Sequence, residues 1–268
     1  MKTETPAVSR LQLYTMMFLF RVLSLLSARG ELSFFNLLFL FAFSFALSMV
    51  AVSVKKVCNS FLYGGAILIS GIETARFYNF LKYEKDSDLS PLLITVLLFA
   101  AVIYASRLGI SALSRFSLIC LVLILVSAAA VISINLCEIT AENLLLSNIK
   151  ATISPYGISD LLLCFDAPVI FLLLRDKTDI NNRSGAVITI IISYLFCAVI
   201  YLECFGVMGM AARRYNYSVE KLFQLGKNGS FTRLDAYYIA LWITVMFLEI
   251  STFISASFER RKLNAKKI

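Results

Sequence analysis

Apolar runs of bilayer-spanning length, separated by short charged clusters, leave this chain one class of fold: a bundle of helices in lipid. The hydrocarbon core offers no water to backbone groups, so each crossing segment must satisfy its own N–H and C=O groups, as an α-helix does. Taking about 20 apolar residues per crossing, eight segments can be read, at roughly 11–28, 34–54, 58–81, 91–106, 115–135, 157–174, 185–211 and 235–257. Of the 268 residues 59% are hydrophobic and 16% charged, well outside the balance of soluble domains. The expectation is an all-α, polytopic membrane protein forming a single membrane domain over 1–268, with residues 259–268 as a basic tail. Arg21 interrupts the centre of the first run and Glu4 weakens a basic leader, so that run reads as a retained helix and not a signal peptide.

Several classes of function drop out. The chain has no histidine, which removes imidazole catalysis and His-ligated metal sites. Its six cysteines form no CxxC pair and fall mostly inside apolar runs, where thiols behave as small hydrophobes. No enzyme, catalytic residue, metal site or cofactor is expected. The formal charge of +8 sits at membrane borders, which points to anchoring in the lipid bilayer and not to nucleic acid.

The distribution of Lys and Arg favours both termini in the cytoplasm. Lys55, Lys56, Arg175, Lys177 and the cluster in "FERRKLNAKKI" then lie inside, and five of the nine cations left outside belong to one longer loop, 212–234. Long loops obey the positive-inside rule poorly. Within that loop Val219, Leu222, Phe223 and Leu225 recur at helical spacing, with Ser218 as a candidate N-cap and Gly226 as a stop, so a short surface helix is expected. The small residues Gly64, Gly65, Gly206 and Gly209 suit close helix packing.

The stretch "LLLCFDAPVIFLLLRD", Leu161 to Asp176, places an acid and an imino acid in the middle of a crossing. Pro168 lacks an N–H and crowds the carbonyl of Cys164, so a continuous helix is expected to kink or break there. Asp166 reads as the N-cap of a new half-helix with Pro168 in its first turn. Two readings fit: Asp166, Pro168, Cys164 and Phe165 line a site for a small molecule or cation, or a protonated Asp166 caps a kinked structural helix. Glu73 and Arg76, three residues apart, suit a structural ion pair. Arg21 can pair with Asp166 or Glu73, and Glu203 and Glu249 fall deep inside the last two crossings, as pathway residues or buried polar contacts.

Two blocks, "SPLLITVLLFAAVIYASRLGISALSRFSLI" and "YSVEKLFQLGKNGSFTRLDAYYIALWITVMFLEIS", resemble the spore germination permeases, the membrane subunits of bacterial germinant receptors related to amino acid permeases. Arg233, Leu234 and Asp235 leading to Trp242 and Phe247, and Tyr104, Arg107 and Gly109 ahead of Arg115, carry the likeness, which runs over roughly residues 60–258. The resemblance implies an inverted-repeat permease fold with broken first and sixth helices around a midplane site. This chain differs in having no glycine near Leu23 to Leu25, in placing its acid beside the family's position, and in stopping short of the last two helices. The implied function is sensing or passing an amino acid or ion in the spore inner membrane or bacterial cell membrane, beside other germinant-receptor subunits. An autonomous amino acid or organic cation transporter and a non-transporting scaffold are the alternatives.

Overall fold

A computed structural model describes residues 8–26, 34–54, 59–83, 90–148, 162–175, 178, 184–214, 218–225 and 234–265. Ten α-helices run through the described residues: α1 (Arg10–Leu26), α2 (Phe34–Ser53), α3 (Asn59–Tyr83), α4 (Pro91–Arg107), α5 (Ile110–Asn135), α6 (Ala141–Asn148), α7 (Asp166–Leu174), α8 (Ser184–Met208), α9 (Ser218–Leu225) and α10 (Leu234–Ala265). The protein is all-α and polytopic. The α5 helix with the turn after it, α8, and residues Ala236–Phe258 of α10 are long and apolar enough to cross a bilayer, and Leu37–Ser53 and Pro91–Arg107 are shorter apolar helices.

Local chemistry sets several of these boundaries. Pro91 opens α4 at a position where its missing N–H costs nothing and its fixed φ already suits a helix. Gly109 then turns the chain at φ 87°, a backbone angle that strains residues bearing a Cβ, and α5 begins at once. Arg115 therefore lies inside α5 and not before it, because the glycine turn leaves no loop to hold it. The α10 helix continues to Ala265, well past the expected end of its apolar run, since nothing in "FERRKLNA" breaks a helix. Residues 157–161, with the expected punctuation at Pro155 and Gly157, and Gly226 lie outside the described residues.

Two helices form the centre. All nine residues of α7 are buried, as is α1 from Thr15 to Leu25. The α1 helix packs against α5, α7, α8 and α10, and α7 also touches α2, α3 and α10. Outer faces are aliphatic: on α8, Ile188, Ile192, Leu195, Val199 and Leu202 are exposed while Thr189, Ser193, Tyr194 and Cys197 turn inward. Aliphatic outer faces around an interior that is also largely apolar suit hydrocarbon solvent.

The glycines behave differently from one another. Gly64 has open space where a Cβ would stand, so it brings no helix close, and Gly65 is in ordinary contact with Val169. Gly206 would place a Cβ 2.7 Å from Ile139 Cγ2, and Gly209 has φ 56° against Asn143. The short α9 helix buries Val219, Leu222 and Phe223, but Leu225 is exposed. Ser218 is the first helical residue of α9, and its hydroxyl donates back to the Ala212 carbonyl at 2.5 Å.

Candidate functional site

The polar centre is built where α1 ends and α7 begins. Leu162 and Leu163 are helical, Cys164 and Phe165 form a turn, and α7 starts at Asp166. Phe165, at φ −86° and ψ −10°, occupies the N-cap, so Asp166 is the first helical residue instead of the cap itself. Its carboxylate still serves the helix end, accepting the N–H of Ala167. Pro168 falls in the first turn, where no intrahelical donor is needed.

Because Pro168 has no N–H, the Cys164 carbonyl lacks its α-helical donor, and Arg21 supplies one. The Nη2 of Arg21 donates to Cys164 O at 2.8 Å and stands 2.7 Å from Asp166 Oδ1. Arg21 is 1% exposed and Asp166 fully buried. Ser24, three residues along the same face of α1, donates to Asp166 Oδ2 at 2.8 Å. The guanidinium carbon lies 5.8 Å from the ring centre of Tyr194, within cation–π range. Phe165 meets Phe43 of α2 edge to face at 6.2 Å, which fixes the turn laterally.

The end of α1 is satisfied by side chains. Tyr201 of α8 donates to Leu25 O at 3.0 Å, Tyr238 of α10 reaches Leu26 O at 3.5 Å, and Arg76 of α3 approaches Ser24 O at 3.5 Å. These are among the last carbonyls of a helix, which have no partner within it. A cation at a helix C-terminus and an anion in the first turn of another helix both match the helix dipoles. Arg76 and Asp166 occupy those two positions.

Glu73 and Arg76 form the expected pair at 3.3 Å. The fully buried carboxyl of Glu249 on α10 feels Glu73, Asp166, Arg76 and Arg21 electrostatically. Thus Arg21, Glu73, Asp166 and Glu249, all buried, belong to one cluster with the half-buried Arg76, and Cys164, Phe165 and Pro168 shape its α7 wall. Glu203 stands in a different contact, accepting Asn135 Nδ2 of α5 at 3.1 Å.

Sequence reading missed Ser24, Tyr194, Tyr201 and Tyr238. The i to i+3 relation of Arg21 and Ser24 was a usable signal, whereas the tyrosines come from α8 and α10 and leave no local trace. An apolar pocket, with about 60 Å³ open to the centre of a water-sized molecule, lies on another side of α1. It is bounded by Leu23, Ile124, Phe196, Phe223 and Trp242 among others, and by none of the charged residues. Trp242, part of the sequence block noted above, also packs on Phe80 at 4.6 Å between ring centres.

A family model for spore germination proteins matches residues 57–260, about three-quarters of the chain. No curated protein and no solved structure matches the chain. The matched segment contains Glu73, Arg76, Asp166, Pro168, Glu203 and Glu249, while Arg21 and Ser24 lie before it. By that match, and as a polytopic bundle of apolar helices, the chain belongs to the spore germination protein family.

Proposed function

We propose that this protein senses a small zwitterionic nutrient, an amino acid, at the junction of α1 and α7, as the membrane subunit of a germinant receptor. Both termini face the cytoplasm in this reading. The observation that carries it concerns Arg21: its Nε–H has no hydrogen-bond acceptor although the residue is buried. Buried donors are nearly always paired, and in this reading the open one beside the broken helix is where an acceptor from outside binds.

A free amino acid carries both complements that the site needs. Its carboxylate suits the guanidinium of Arg21 in forked geometry. Its ammonium suits the Asp166 carboxylate and the Cys164 carbonyl, the two groups that Arg21 Nη2 now holds together. Ligand binding then replaces an internal ion pair with two external ones, and a neutral zwitterion leaves the local charge unchanged. The exchange separates the end of α1 from the start of α7, which gives the receptor a structural signal.

The test is the germination response of spores carrying Asp166→Asn or Pro168→Leu. Both variants are expected to lose the nutrient response when compared at matched protein levels, since Asp166→Asn also leaves Arg21 uncompensated, whereas an intact response in both counts against the site. Labelled amino acids offered to proteoliposomes distinguish sensing from transport: a sensor binds them, and accumulation inside the vesicles would assign a transporter.

A further inference from the structure

Counting charges among the described residues of the cluster exposes an imbalance. Arg21 and Arg76 bring two positive charges, and Asp166, Glu73 and Glu249 bring three negative ones. Arg21 is paired to Asp166, and Arg76 to Glu73. Among the described residues, Glu249 is the remaining acid of the cluster. Its side chain is 0% exposed and neither carboxyl oxygen has a hydrogen-bond partner. An ionised carboxylate in that condition is costly in a low-dielectric interior, and a neutral acid is much less so.

We propose that Glu249 is a proton-binding site, and that its one exchangeable proton balances the charge of the α1–α3–α7–α10 cluster. One proton from water adds to an Oε of Glu249 and converts the carboxylate to the acid; release to water reverses the step. A metal ion fits the same place poorly, since among the described residues no three acidic or thiol side chains converge to hold one. The groups that act on Glu249 are Arg21 on α1, Glu73 and Arg76 on α3, and Asp166 on α7. Of the other helices packed on α10, α5 buries the thiol of Cys120 and α9 the carboxylate of Glu220, which accepts a bond from Gln224 at 3.0 Å. The buried stretch of α4 holds Val102, Ala105 and Ser106, none of which ionises near neutral pH. This site does not depend on which nutrient, if any, the protein binds.

The experiment is infrared spectroscopy of the purified protein at neutral pH without ligand, as the difference between wild type and Glu249→Gln. The expected difference is the carbonyl stretch of a protonated carboxylic acid, shifting in D2O, with no loss of carboxylate bands. Loss of carboxylate bands instead would overturn the proposal. Glutamine copies the protonated acid in shape and charge, so E249Q is expected to purify and melt like the wild type; failure of E249Q to fold contradicts the proposal. Glu73→Gln gives an independent reading. Removing that acid balances the cluster without a proton, so E73Q is expected to lose the same acid band, with Glu249 now ionised. Persistence of the band in E73Q contradicts the charge count.

Discussion

Arg21 is the residue on which the centre depends. It carries the charge that offsets Asp166 and the hydrogen bond that Pro168 denies to Cys164. Removing one member of a buried pair strands the other, at a cost of about 3–5 kcal/mol. Arg21→Ala is therefore expected to lower the melting temperature in detergent sharply. Arg21→Ala combined with Asp166→Ala is expected to recover much of that loss, because no charge is left uncompensated. Melting curves of the two single variants and the double variant check this; additive losses would show that the two side chains do not act as a pair. The pair itself was only half legible beforehand. Asp166 and Pro168 announced a break by their chemistry alone, but the choice of Asp166 over Glu73 as the partner of Arg21 depends on how α1 lies against α7, which no local pattern encodes.

At the scale of elements, the junction works because two helix ends are brought together and their loose backbone groups are shared out to side chains of neighbouring helices. Tyr201 holds Leu25 O from α8. Tyr201→Phe keeps the ring and leaves that carbonyl unpaired, a loss of about 1–3 kcal/mol for a buried group. Chemical denaturation of the purified variant is expected to show it, and an unchanged curve would mean that the end of α1 is satisfied otherwise. Glycines give a second contrast. Gly206→Ala pushes a methyl into Ile139 and is expected to cost about 1–3 kcal/mol, whereas Gly64→Ala meets nothing within 4 Å and is expected to leave stability nearly unchanged. The same denaturation assay compares the two. All four glycines looked alike in sequence, since composition signals small size but not what stands opposite. Helix boundaries followed a similar rule: apolar runs located the crossings, while Gly109 and the polar tail of α10 shifted their ends through backbone chemistry that hydropathy does not register.

Across the whole molecule, the central placing of α1 and α7 gathers two arginines and three acids into one interior region, with aliphatic faces outward on α4, α5 and α8. The class of the fold was therefore readable from the run lengths alone, and the family from two blocks that the match over 57–260 includes. What composition could not supply was the closing of the cluster by α3 and α10, which lie far apart in the chain, pack against each other and carry Glu73 and Glu249. Reporter fusions to the two termini test the proposed orientation, with cytoplasmic signal expected from both and a signal from the opposite side of the membrane at either one contradicting it.

The most direct measurement is a thermal-shift titration of the purified protein against a panel of amino acids, run in parallel on wild type and Asp166→Asn. A saturable stabilisation of the wild type by at least one amino acid, absent from the variant, is the predicted result. No shift with any amino acid, or an equal shift in the variant, would contradict a ligand site at the meeting of α1 and α7.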